Sequence, residues 1–184
     1  MSSSASKITY NSVSKFLKIP VKIVERYSEY LEKSFLLFFI KNYSISPKDI
    51  ENPPRKVYVI DNGFLKYFYT APLRRTFESL IVQHLYRYTI RRFYELYYWS
   101  SEDSEIDVII KSGKKILPIQ ITYELNDENE ERELKSLRKF KKYADYNAAL
   151  IVTFEQKREI EEIKVLHAYK FLINIEDILY SFMS

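Results

Sequence analysis

Four polar residues have the types and spacing that suit metal-dependent hydrolysis of a phosphodiester. Glu105 and Asp107 stand two residues apart in a β-prone run, and Gln120 follows beyond a Ser-Gly pair. Glu78 lies upstream, near the start of a segment with helical period. Mg²⁺ and Mn²⁺ prefer oxygen ligands from carboxylates and carbonyls. If the fold brings the four together, they predict a site in which a divalent cation polarises a phosphate ester.

A β-hairpin and one helix would be enough to position these side chains. Glu105 and Asp107 share one face of a strand, because they are two residues apart. Asp107 and Gln120 flank a turn at Gly113 with similar separation, and residues opposite each other in a hairpin lie roughly 5 Å apart. Glu78 would reach the same region if its helix packs across the sheet. The spacing therefore predicts that three acids and an amide converge.

The same acids also fit an ordinary protein surface. Glu105 and Asp107 would then form the polar face of an edge strand, with Lys111 and Lys115 across from them. Oppositely charged residues on neighbouring strands stabilise each other in this way. Spacing alone leaves both interpretations open.

The composition excludes several other kinds of site. The 184 residues include no cysteine and two glycines, so disulfides, thiolate zinc sites and glycine-rich phosphate loops are excluded. His84 and His167 are the only histidines, and we interpret both as structural. No apolar run approaches the roughly 20 residues of a membrane helix. We therefore expect a soluble, cytoplasmic protein with no membrane partner, and its richness in Ile, Lys, Glu and Tyr is typical of thermophiles.

Residues 1–45 have the pattern of a winged helix-turn-helix. Apolar residues recur at helical spacing over 10–18 and 21–34, Pro20 separates these segments, and the run 35–40 is β-prone. Two short helices followed by a strand are the outline of that DNA-binding motif. The candidates for DNA contact are four basic residues, Lys15, Lys18, Lys22 and Arg26. An α-hairpin that docks on the rest of the chain or on a partner fits the same pattern.

The remaining residues predict a linking segment and an α/β (α+β) domain. Prolines mark residues 46–73 as a linker with a strand, a short helix and a turn that needs the backbone freedom of Gly63. The larger domain spans 74–184, and Pro118 indicates an edge or a bulge in its third strand. Its predicted elements are a helix at 75–95, strands at 96–99, 105–110 and 115–123, a helix at 126–145, strands at 148–154 and 163–172, and a helix at 175–182. The core order is αβββαβ.

The ordered motifs of the chain resemble a known family. They are Trp99-Ser-Ser101, Glu105-Ile-Asp107-Val-Ile-Ile110 and Ile116-Leu-Pro-Ile-Gln120-Ile-Thr122, with Phe77-Glu78 and Val57-Tyr-Val-Ile-Asp61-Asn-Gly63 upstream. Together they are similar to the C-terminal domain of unknown function that many archaeal and bacterial AAA-type ATPases carry, commonly after a winged helix. That domain is in turn similar to PD-(D/E)xK nucleases. The resemblance implies a restriction-endonuclease-like core.

The resemblance also implies roles for individual residues. The helix Glu, the strand Asp and the Glu-x-Lys of such nucleases would fall on Glu78, Asp107, Gln120 and Thr122, with a metal held by Glu78, Glu105 and Asp107. Gln120 has no charge, and Thr122 cannot act as the cation. Losing a positioned charged group costs several kcal/mol of transition-state stabilisation. The catalytic positions are therefore expected to be vestigial.

Three functions are compatible with these observations. The first is a DNA-interacting or scaffold module with an inactive nuclease site. The second is an active Mg²⁺- or Mn²⁺-dependent deoxyribonuclease. The third is a protein-interaction domain that binds an AAA-type ATPase or another copy of itself. Because the catalytic positions are altered, we expect the first and expect no catalysis.

Overall fold

The computed structural model describes residues 5–45, 54–68, 70–156, 158–160 and 163–183. The fold is mixed α/β and divides into two compact units, Met1–Gln83 and His84–Ser184. No helix in these ranges is both long and apolar enough to cross a membrane.

The first unit begins with a short strand and two helices. Its elements are β1 (Ser6–Ile8), α1 (Tyr10–Leu17), α2 (Val21–Lys33), β2 (Leu37–Asn42), β3 (Arg55–Val59), α3 (Asn62–Phe68) and the first part of α4 (Leu73–Arg92). The hydroxyl of Thr9 accepts from the backbone N–H of Ser12, which fixes the start of α1. Both helices expected in this region are present. Residues 46–53 of the expected linking segment 46–73 lie outside the described residues.

The three strands of the first unit form an antiparallel sheet in the order β1-β3-β2. β3 is the middle strand and pairs on both sides, with Ser6 opposite Val57 and Phe38 opposite Tyr58. The rings of Phe38 and Tyr58 stack at 5.5 Å between centroids, and both are fully buried. Two short helices followed by a strand are what the sequence predicts here, whereas the identification of this unit as a winged helix stays a prediction.

Gly63 does not have the role expected of it. It lies in the first turn of α3 rather than in a turn of positive φ. Its N–H donates to Oδ1 of Asp61 at 2.6 Å, and a Cβ at this position would lie 2.9 Å from that oxygen. Because this oxygen is at the end of a flexible side chain that can move aside, neither the contact nor backbone freedom requires glycine here.

The second unit continues α4 and adds a six-stranded sheet within the described ranges. Its further elements are β4 (Glu95–Ser100), β5 (Glu105–Ser112), β6 (Lys115–Ile121), α5 (Asp127–Tyr143), β7 (Ala149–Thr153), β8 (Arg158–Ile160), β9 (Ile163–His167), α6 (Ala168–Ile173) and α7 (Ile175–Met183). The strand order is β4-β5-β6-β7-β9-β8. The pairs β6/β7 and β7/β9 are parallel, and the other pairs are antiparallel. The expected element order αβββαβ is thus present from α4 to β7. Its identification as nuclease-like stays a prediction.

Two local features of this sheet differ from expectation. Pro118 lies in an interior strand, opposite Ile109, and the pairing of β6 with β7 begins one residue later, at Ile119. The expected strand over 163–172 ends at His167, because Nδ1 of His167 accepts the N–H of Tyr169 and thereby starts α6. This cap gives His167 the structural role that was predicted for it.

Three helices end on a residue other than glycine in the left-handed region. These residues are Lys18, Phe35 and Phe93, with φ of 54°, 55° and 58°. The next N–H in each case bonds back into the last helical turn, from Ile19 to Ser14, from Leu36 to Leu31 and from Tyr94 to Thr89. This closure is the Schellman motif, in which glycine is the usual left-handed residue.

Gly113 offers a test of the turn between β5 and β6. Its φ is 58°, and no atom lies within 4 Å of a Cβ built there. Gly113→Ala should lower the free energy of unfolding by about 1 kcal/mol through backbone strain alone. Denaturant titration measures this change, and Lys114→Ala in the same turn is the control, expected to be near neutral. Equal stability of the Gly113→Ala variant and the parent would contradict the described turn.

Candidate functional site

Asp107 and Gln120 meet where the pairing of β5 and β6 ends. The last paired residues at this end are Val108 and Ile119, so Asp107 and Gln120 come next on their strands. The N–H of Asp107 donates to Oε1 of Gln120 at 2.9 Å, and the N–H of Ile121 donates to Oδ2 of Asp107 at 2.9 Å. Side-chain oxygens thus accept the N–H groups that the ladder no longer pairs. The hairpin places these two residues opposite each other, as the spacing predicts.

The amide of Gln120 uses both of its ends on protein partners. Besides accepting from Asp107, Gln120 donates from Nε2 to the backbone oxygen of Glu105 at 2.9 Å and to Oε2 of Glu133 at 2.8 Å. Its side chain is only 1% exposed. A buried amide is stable only if its hydrogen-bonding groups are satisfied. Gln120 therefore ties β5 and β6 to α5.

Glu133 completes this network from α5. Its Oε1 accepts from the guanidinium of Arg132 at 2.7 Å. Burial raises the pKa of the Glu133 carboxyl, the Arg132 hydrogen bond lowers it, and the negative charges of Asp107 and Glu105 raise it further; the net direction is upward. The Arg132 side chain is largely exposed, so its charge is partly screened by water.

Glu133 is the site residue that sequence reasoning missed. It lies one turn before Leu137 and two turns before Phe140, and all three are buried on one face of α5. A glutamate in register with an apolar stripe is the signal that could have identified it.

Thr122 does not take the place of a catalytic lysine. It follows β6, and its hydroxyl donates to the backbone oxygen of Glu124 at 3.0 Å. This bond closes the loop that leads to α5. The position expected to hold the nuclease cation is thus occupied by a local turn contact.

Glu78 lies in the first unit and forms an ion pair there. Its Oε1 accepts from Nζ of Lys56 at 3.1 Å and from the hydroxyl of Tyr58 at 2.7 Å. Lys56 is only 3% exposed, although lysine side chains are ordinarily in contact with water. A buried ammonium requires such a partner, and removing one member of a buried pair costs several kcal/mol. The role shown for Glu78 is to neutralise Lys56.

The donor set within each unit does not match a metal site. No group of three or more His, Asp or Glu side chains in the described ranges could hold a metal ion. The amide of Gln120 is also turned toward protein partners. Metal binding by Glu78, Glu105 and Asp107 accordingly stays a prediction, and we derive no chemistry from a bound cation.

His84 lies on α4 and is half-buried. Burial is the main cause that lowers the pKa of its imidazole, and the nearby positive charge of Arg87 lowers it further. A neutral ring is therefore favoured near neutral pH.

The four basic residues expected to contact DNA are exposed around the junction of α1 and α2. Lys15 and Lys18 lie at the end of α1, and Lys22 and Arg26 are one turn apart at the start of α2. None of them forms an ion pair with another described residue. We call this set the basic corner, and it gives the first unit a local concentration of positive charge.

Three acidic residues of α2 line a cavity. Glu25, Glu29 and Glu32 recur at helical spacing and line a polar cavity of about 520 Å³ together with Tyr10, Phe39, Lys41 and Arg55. The guanidinium of Arg55 donates to the hydroxyl of Tyr10 at 2.8 Å within this cavity.

Two family models match adjacent parts of the chain. A domain of unknown function, DUF4143, matches residues 74–171, and another, DUF8612, matches residues 1–75. An uncharacterized protein of the archaeon Methanocaldococcus jannaschii is 31% identical over 113 residues, which cover 61% of this chain and 25% of that protein. The chain thus spans about a quarter of the length of this curated relative.

Replacing Gln120 tests whether its amide stabilises the fold. Gln120→Leu keeps a similar volume but leaves the Asp107 N–H, the Glu105 carbonyl and Glu133 without their partner, so we expect a loss of about 3 kcal/mol in the free energy of unfolding. Thr122→Ala, which removes one hydrogen bond outside the network, should cost about 0.5 kcal/mol. Urea titration of the parent and of each variant measures both losses. A Gln120→Leu variant as stable as the parent would refute the proposed role.

The raised pKa of Glu133 predicts a pH dependence. Below about pH 4.5, its ordinary value, the carboxyl is protonated in the folded and unfolded states alike. Between this pH and the higher folded-state pKa, only the folded state retains the proton, so stability falls as pH rises. Glu133→Gln cannot titrate, so its stability relative to the parent should improve across this window and then level off.

Urea titrations of both proteins from pH 4 to pH 8 measure the difference. A difference that does not change with pH would show that Glu133 has no raised pKa.

Proposed function

We propose that this chain, which belongs to the DUF4143 family of domains of unknown function, is a non-catalytic module that binds duplex DNA. In this proposal the first unit is a winged helix-turn-helix that contacts DNA through the basic corner. The second unit is a nuclease-like domain whose former site positions now stabilise the fold. The buried amide of Gln120 supports the non-catalytic part of this proposal, and the exposed basic corner supports the DNA-binding part.

The contacts of Gln120 and Thr122 support the absence of catalysis. Hydrolysis of a phosphodiester requires a cation, or a positioned charged group, beside the developing negative charge. Gln120, which the resemblance aligns with an acid of the nuclease motif, is an uncharged amide bonded to Asp107, Glu105 and Glu133. The nearby Thr122 bonds to its own loop. These contacts stabilise the fold, and neither residue supplies the charge that catalysis requires.

The basic corner of the first unit supports binding of DNA. In helix-turn-helix proteins the start of the second helix enters the major groove, and basic residues around it contact phosphates. Lys22 and Arg26 occupy the start of α2, and Lys18 lies in the turn before it. None of these three side chains forms an ion pair within the described residues. The net charge of +4 is compatible with this role.

An ATPase partner is part of the proposal. The match covers about a quarter of the archaeal relative, so most of the length of that protein lies outside the matched region. The motifs of the second unit resemble those of a domain carried by AAA-type ATPases. We propose that the module delivers such an ATPase to DNA.

Neutralising part of the basic corner tests DNA binding. Lys22→Ala with Arg26→Ala should weaken binding of a fluorescent duplex about tenfold at low salt and reduce the slope of log affinity against log salt by about 2, because two phosphate contacts are lost. Lys135→Ala with Lys139→Ala is the matched control. It removes the same charge, but both of those lysines already pair with Asp103. Equal binding by the two double variants would refute the proposal.

A cleavage assay tests the proposed lack of catalysis. The parent protein, incubated with supercoiled and linear DNA in Mg²⁺ or Mn²⁺, should leave both substrates intact while it still retards them in a gel. Asp107→Ala and a chelator serve as controls. Cleavage by the parent that disappears in Asp107→Ala would show an active nuclease and would contradict the proposal.

A further inference from the structure

A cavity of about 290 Å³ opens where β6 and β7 end. The two strands are parallel neighbours, and the loop that follows each of them contributes to the lining. The lining residues are Tyr123, Glu124, Phe154, Glu155 and Gln156. In α/β sheets, ligands commonly bind outside the carboxyl ends of parallel strands, which is where this cavity lies.

Hydrogen bonds hold both loops that form the cavity. The N–H of Phe154 donates to the backbone oxygen of Tyr123 at 3.0 Å. The side chain of Gln156 accepts the N–H of Leu125 at 2.6 Å and donates to the carbonyl oxygen of the same residue at 2.7 Å. The hydroxyl of Thr153, which is fully buried, accepts the N–H of Gln156 at 3.0 Å. The cavity is therefore preformed, so a ligand does not have to order these loops when it binds.

Two aromatic rings and two carboxylates give the cavity its chemistry. The rings of Tyr123 and Phe154 stack at 4.8 Å between centroids and 14° from parallel, and Phe154 is 43% exposed. Glu124 and Glu155 are also exposed, and neither forms an ion pair with another residue of the described ranges. The lining thus combines an aromatic face with negative charge.

This combination selects an organic cation. Carboxylates repel a phosphate-bearing ligand, and no group of three or more acids or histidines in the described ranges could hold a metal ion. An aromatic face attracts a cation through the quadrupole of the ring, and a nearby carboxylate adds an opposite charge. A guanidinium suits both groups, because it is planar, stacks on aromatic rings and donates two parallel N–H groups to one carboxylate.

We infer that this cavity binds a guanidinium group. The plane of the guanidinium stacks on the ring pair, and its N–H groups donate to Glu155 and Glu124. Sites for drug-sized ligands have volumes of roughly 300–1,000 Å³, so this cavity suits a ligand of about the size of one side chain. Such a ligand is an arginine residue of another protein or a small guanidino compound. The site lies in the second unit and does not depend on duplex binding by the basic corner.

Titration with three probes tests the inference. N-acetyl-arginine amide represents an arginine residue, methylguanidine represents a free guanidino compound, and N-acetyl-lysine amide compares ammonium with guanidinium. The backbone amide signals of Tyr123 and Phe154, followed by two-dimensional NMR of the whole chain, should shift and saturate with both guanidinium probes. The lysine amide should bind about tenfold more weakly, because its ammonium is strongly hydrated and cannot stack as a plane. The guanidinium probe that binds more tightly identifies the source of the ligand.

Two substitutions remove the ring and the charge separately. Phe154→Leu keeps an apolar side chain without an aromatic face, and Glu155→Gln keeps the shape without the charge. Each should weaken binding of N-acetyl-arginine amide about tenfold, whereas Phe154→Tyr should retain the parental affinity. Tyr180→Leu and Glu128→Gln make the same chemical changes on exposed residues outside the cavity and should leave the affinity unchanged. Thermal midpoints show that each variant is folded.

Several outcomes would overturn the inference. These are the absence of a saturable shift with both guanidinium probes, equal affinity for the lysine amide, and an equal loss of affinity in the cavity variants and their controls. Unchanged binding by Glu155→Gln would also overturn it, and this substitution of an exposed side chain keeps the test valid if Phe154→Leu fails to fold. Duplex binding by the same variants reports on the basic corner separately.

Discussion

The arrangement around β5, β6 and α5 depends on one buried amide. Where the backbone ladder between the two strands ends, Gln120 accepts the next N–H and donates to both a strand carbonyl and a helix carboxylate. Without the amide, the N–H of Asp107 and the carbonyl of Glu105 would lose this partner, and Glu133 would lose one of its two. A glutamate in place of Gln120 would offer no donor for Glu133 and would set two carboxylates against each other. The amide is thus the side chain best suited to hold this junction without a cation.

The buried charge of the first unit, the Lys56 ammonium, has a different kind of partner. Lys56 on β3 is buried, and its ammonium donates to Glu78, which also accepts from the hydroxyl of Tyr58. Here neutralisation comes from an opposite charge, whereas in the second unit it comes from an uncharged amide and an exposed arginine. Two positions that a nuclease would use for catalysis are thus each engaged by partners within their own unit, which is why we favour a binding module over an enzyme.

Sequence reasoning predicted the order of elements because apolar periodicity survives in a single sequence. It also placed Asp107 opposite Gln120, since the turn at Gly113 sets the register. It missed Glu133 and Lys56, because charged residues are ordinarily exposed and their burial depends on partners distant in the chain. It extended β9 through α6, because the run after His167 remains apolar and only the side-chain cap at His167 marks the change.

The scarcity of glycine has a consequence for the unfolded chain. With two glycines in 184 residues, nearly every position of the unfolded chain is restricted in φ, so less conformational entropy is lost when the protein folds. Left-handed helix ends at Lys18, Phe35 and Phe93 raise the energy of the folded state by strain. The two effects oppose each other. Helix ends without glycine therefore cost this protein less net stability than the strain of its folded state alone would indicate.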